Sequence, residues 1–102
     1  MSSLSEIYFN YNKAIEQANR LDDVAKRLTA AAAVTMAGIL SDVHKAWKSD
    51  SAPAYIKKGE KVEQDMGTTA KNLREIAQTI RIIAQRIRDA ELAAWRIGNE
   101  RK

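Results

Sequence analysis

Two long runs of this sequence set apolar or small residues at alternating three- and four-residue steps, with a single break between them near the middle. No other feature limits the fold so sharply. The first run reads Leu4, Ile7, Tyr11, Ala14, Ala18, Leu21, Ala25, Leu28, Ala32, Thr35 and Ile39. The second reads Ala52, Tyr55, Gly59, Val62, Met66, Thr69, Leu73, Ile76, Ile80, Ile83, Ile87, Ala90, Ala94 and Ile97, without one charged member. A heptad seam kept up over this many turns specifies helix, and a helix that lies against other helices.

Local signals fix the ends. Ser3 stands where an N-cap belongs, with Glu6 at the capping-box spacing. Ser51 is placed to cap the second helix, and Pro53 falls in its first turn, where the missing N–H costs nothing. Gly98 is the expected stop, and Gly67-Thr68-Thr69 is the weak place, where a kink can form. The reading is one all-α domain over 1–102: helix one over about 4–47, a turn at 48–51, helix two over about 52–97, then a short basic tail.

A four-residue connection makes consecutive helices antiparallel neighbours, so the expected fold is a two-helix hairpin. Folded about Asp50, the seams pair Ile7 with Ala94, Tyr11 with Ala90, Ala18 with Ile83 and Ala25 with Ile76, large against small. Apolar residues remain beside the seams: Tyr8, Ile15, Met36 and Val43 on helix one, and Ile56, Ala70, Ala77 and Ala84 on helix two. These are the candidate dimer interface. Covering them with a second hairpin gives a four-helix bundle, which a small domain with one thin core needs for stability.

Catalytic chemistry finds little to use. The chain has no cysteine and one histidine, His44, which no second histidine accompanies. A general base needs a partner and a pocket. The glycines at 38, 59, 67 and 98 are isolated, so no phosphate loop exists, and no grouping of ligands calls for a metal. No enzyme activity and no cofactor are expected. The formal net charge is +4, and all of that excess lies between Lys71 and Lys102. Arg74, Arg81 and Arg88 recur every seven residues, forming either a solvated face with some ion pairs or a rail for an acidic helix or an anionic membrane. Membrane contact is the less favoured use. Nucleic acid is not expected, because no aromatics interleave with the arginines for base stacking. The N-terminus lacks the basic and apolar regions of a cleaved signal, and the uncharged stretch Leu28–Ser41 is short for a bilayer span.

The break itself carries a resemblance. Trp47-Lys48-Ser49, placed at the turn and followed by Tyr55 in the first turn of helix two, resembles the WXG family of small helical hairpins exported by type VII secretion systems. Ser49 stands where the family motif has glycine, a common variation. The resemblance spans nearly the whole chain. It implies a non-catalytic protein made in the cytoplasm and secreted without a cleaved signal. It also implies a homodimer, or a heterodimer with a related hairpin or the helical leader of a larger toxin, presented to a secretion ATPase. Many family members carry an export signal of Tyr-x-x-x-Asp/Glu after helix two. Here the tail offers Trp95 with Asn99 at the acidic position and Glu100 one residue late, a degenerate form. The alternative reading is a cytoplasmic coiled-coil adaptor unrelated to secretion.

Overall fold

The computed structural model of the chain describes residues 3–46 and 52–100, and from Leu4 onward all of them are helical. The fold is all-α. Helix α1 covers Leu4–Ala30, a π-helical segment covers Ala31–Met36, α2 covers Ala37–Ala46, and α3 covers Ala52–Glu100. Trp47, Lys48 and Ser49 lie outside the described residues, as do Asp50 and Ser51.

The start of α1 follows from Ser3. Its hydroxyl oxygen accepts the Glu6 backbone N–H at 3.2 Å, and its carbonyl accepts that of Ile7 at 3.0 Å. One orphan donor of the first turn is satisfied in this way, a contribution of about 1 kcal/mol. The other end departs from expectation: α3 passes through Gly98 and continues to Glu100. A lone glycine costs a helix only about 1 kcal/mol, too little to end one of 49 residues. The same helix runs unbroken through Gly67-Thr68-Thr69, the weak place of its sequence.

The irregularity lies in the first half instead. Ala31–Met36 winds as a π-helix, which accommodates one residue more than an α-turn holds. Upstream, Ala18, Ala25 and Ala32 are buried, in phase with the first apolar run. Downstream the covered side has moved by one position. Met36, Leu40 and Val43 are half-buried, while Thr35 and Ile39 of the predicted seam are exposed.

The chain divides into two compact units, Met1–Asp22 with Glu75–Lys102, and Asp23–Arg74. In the first, Ile7, Ala18, Ala77 and Ala84 are buried. Contacts between α1 and α3 join Tyr11 to Arg88 and Asp22 to Arg81, so residue numbers fall on one helix as they rise on the other. In the second unit the buried residues are Ala25, Ala32 and Ala70, and Arg74 bonds to Thr29. Leu40 of α2 packs there on Gly59 of α3, where a Cβ would lie 2.3 Å from the leucine Cδ2. Glycine lets the leucine side chain approach the helix closely there, and a Cβ would force Leu40 to shift. Among the described residues, every buried side chain apart from Ile7 is an alanine methyl, each contributing about 0.8 kcal/mol on leaving water. Such a core brings helices close together but sequesters little apolar area.

Candidate interaction surface

The alanine core identifies which edge of α3 faces α1. Ala70, Ala77 and Ala84 recur every seven residues and are covered within the chain, Ala70 and Ala77 completely. They are therefore unavailable as a dimer interface, which corrects the expectation for these three residues. Met66, Leu73 and Ile80 sit one step round the helix and are half-buried. The predicted inner seam paired this shared column with the wrong neighbour. Its other members, Tyr55, Val62, Ile76, Ile83 and Ile97, all lie on the exposed side, Ile76 at 50% and Ile83 at 49%. Ile83, the predicted partner of Ala18, is half exposed, whereas the neighbouring Ala84 is buried.

A physical reason is at hand. Two heptad seams share the column of Met66, Leu73 and Ile80: one continues through alanine, the other through valine and isoleucine. The alanine seam suits the closest approach of two helices, because separation is set by the side chains at the contact. The bulkier seam is left facing outward.

The remaining interface candidates divide. Tyr8 is exposed, whereas Ile15, Met36, Val43 and Ile56 are half-buried. Met36 and Val43 belong to the re-phased covered side beyond the π-segment and not to a separate outer column. At the C-terminal end Trp95 is half-buried, and Asn99 and Glu100 are exposed on the last turn of α3. The segment from Trp95 to Glu100 is thus helical.

The three arginines do not form a free basic rail. Arg74 donates from Nη2 to Thr29 Oγ1 at 2.9 Å, and that hydroxyl donates in turn to the Ala25 carbonyl at 2.9 Å. Arg81 donates to Asn19 Oδ1 at 2.9 Å and forms an ion pair with the Asp22 carboxylate. The Arg88 guanidinium lies 4.4 Å from the centre of the Tyr11 ring and donates from Nε and Nη2 to Asp89 Oδ1, each at 3.1 Å. All three turn toward α1 along the rim of the alanine seam. Cation–π and charge-assisted contacts of this kind contribute about 0.5–1 kcal/mol each when partly exposed. Their work is to lock the register of two helices whose methyl-lined seam specifies it weakly.

Among the described residues no three His, Asp or Glu side chains gather to hold a metal ion. Shallow recesses follow the helix junctions. One of about 140 Å³ in the first unit is lined by Ile7, Tyr11, Ala14, Ala84, Ile87 and Arg88. Within Leu4–Ala46 an 18-residue window has a mean hydropathy of 1.2, long and apolar enough by composition to cross a membrane.

No family model matches the chain, and neither a curated protein nor a solved structure does. What is established is the class: the described residues form an all-helical fold, with exposed apolar residues on its helices.

Proposed function

We propose that the chain is a non-catalytic interaction module, an antiparallel helical hairpin that pairs through its outer faces into a four-helix bundle. The observation that carries this reading is the apolar face of α3 within Glu75–Lys102, where Ile76, Ile83, Ile87 and Ile97 stay exposed while Ala77 and Ala84 occupy the inner seam. Single exposed apolar residues are ordinary on a protein surface, but a heptad column of them is the seam of a helix–helix interface. The falling residue numbers of the α1–α3 contacts support the hairpin within each unit.

On the residues Trp47, Lys48, Ser49 and Tyr55, this module resembles the WXG proteins of type VII secretion. The reading that follows is a secreted helical protein, acting either as dimeric cargo or as the small targeting partner of a larger secreted toxin. Recognition is then its whole mechanism: the helices present a preformed face, and the helical end with Trp95, Asn99 and Glu100 offers the export machinery a handle. Secretion is tested by following the tagged chain in culture medium with and without an active secretion ATPase. Appearance in the medium only with the active ATPase supports it. Retention in the cytoplasm in both cases removes export and leaves the helical adaptor.

A further inference from the structure

Within the unit that contains Glu75–Lys102, the open face of α3 has a symmetry of its own. Ile76, Ile80, Ile83 and Ile87 follow one another at steps of four, three and four, a spacing that reads the same in either direction. Three of the four are about half exposed, and Ile80 is half-buried. Two such segments laid antiparallel superpose isoleucine on isoleucine at every layer: Ile76 meets Ile87 of the second copy, and Ile80 meets Ile83. A parallel pairing would also stack like on like, so apolar pattern alone does not choose the direction.

Charge chooses it. Glu75 and Arg86 are exposed on the outward side that flanks the cluster. Neither belongs to any ion pair within the chain among the described residues. They stand 11 residues apart, about 16 Å along the axis. Antiparallel pairing about the middle of the cluster brings Arg86 of each copy beside Glu75 of the other, giving two symmetric ion pairs. Parallel pairing about a two-fold along the helix axes would put this flank of the two copies on opposite sides of the interface, and no Glu75–Arg86 pair would form. Ile82, 42% exposed, lies on the same outward flank and close to the two-fold axis, so the two copies of it approach each other.

We propose that the occupant of this face is a second copy of the same chain, packed antiparallel along residues 75–87 of α3 with Glu75 and Arg86 exchanged across the two-fold. This rests on the reading of the chain as a pairing helical module and names the seam, the partner and the direction. The seam is the isoleucine face and not the alanine column.

The test uses the full chain, which has no native cysteine. Ile76→Cys and Ile87→Cys chains, distinguished by a mass tag, are mixed and oxidised. The expected product is the mixed-chain disulfide, in clear excess over either like-with-like species. In parallel, equilibrium sedimentation follows Glu75→Arg, Arg86→Glu and the double variant. Each single reversal is expected to raise the dimer Kd about tenfold, and the double to return it close to the unaltered value, since both ion pairs re-form with reversed sign. These exposed positions leave the alanine core untouched, and circular dichroism confirms that the helices persist. A dimer that forms like-with-like disulfides, or is indifferent to both reversals, overturns the proposed seam and leaves the pairing module standing. An unaltered chain that stays monomeric at its solubility limit overturns both.

Discussion

Gly59 gives a prediction whose sign the structure decides. Glycine in a helix interior costs about 1 kcal/mol relative to alanine, so Gly→Ala is stabilising wherever the new methyl finds room. At Gly38 and Gly67 an added Cβ meets no heavy atom within 4 Å, and each substitution is expected to gain nearly that full amount. At Gly59 the same methyl would lie 2.3 Å from Leu40 Cδ2, 3.2 Å from its Cγ and 3.3 Å from its Cδ1. Contact with the branch carbon as well as both methyls means that a small rotation of Leu40 does not clear it. Displacing the half-buried leucine forfeits about half of the 1.5–3 kcal/mol its burial is worth, with about 0.5–1 kcal/mol more for an off-rotamer position. Loss thus exceeds gain by about 0.3–1.5 kcal/mol, and Gly59→Ala falls about 1.3–2.5 kcal/mol below Gly67→Ala. For a chain of this size that gap is roughly 5–20 °C in Tm. Thermal unfolding by circular dichroism at one fixed protein concentration measures it, since association makes Tm depend on concentration. In a Leu40→Ala background the obstacle is gone, and Gly59→Ala should gain what Gly67→Ala gains. Equal stabilisation at both glycines in the unaltered background would refute the close approach of α2 and α3.

The other elements yield predictions of the same kind. Ala77→Leu forces three carbons into a completely covered site and is expected to cost about 1–3 kcal/mol in urea unfolding, whereas Thr69→Leu, on the exposed side, costs little. Deleting Ala33 removes the extra residue of the π-segment and restores three- and four-residue steps from Ala25 through Met36, Leu40 and Val43, so helicity and Tm are expected to be kept. Deleting Gln17 from the regular α1 turns every residue beyond it by about 100° and is expected to abolish the cooperative transition. A double-mutant cycle on Asp22→Ala and Arg81→Ala should give a coupling of about 0.5–1 kcal/mol that declines as salt is raised.

How much of this was legible in the sequence depends on the residue. Ser3 and Glu6 announced the start of α1, and the heptads announced helix throughout. The identity of the inner seam was not legible from hydrophobicity, because Ile76 and Ile83 outrank Ala77 and Ala84 on any apolar scale. Two helices in closest approach select for small volume, and the neighbouring alanines won. The partners of the arginines were hidden for a related reason. At the rim of an alanine seam a long side chain reaches across to Thr29, Asn19, Asp22 or Tyr11, while in the sequence it looks like part of a solvated face. The π-segment left no mark at all. Ala31, Ala32, Ala33 and Val34 fit either phase of the pattern, so one additional residue passed unnoticed until the burial of Met36 and Leu40 revealed it. The turn motif at Trp47–Ser49 lies outside the described residues, and its part in the resemblance rests on the sequence.

The central claim is that alanine columns join α1 to α3 and leave the isoleucines outside. Disulfide trapping in a chain with no native cysteine tests it directly. Ala18→Cys combined with Ala84→Cys should close readily into an intramolecular bond at monomer mass, whereas Ala18→Cys combined with Ile83→Cys should not. The reverse result, closure through position 83 and none through position 84, would contradict the account.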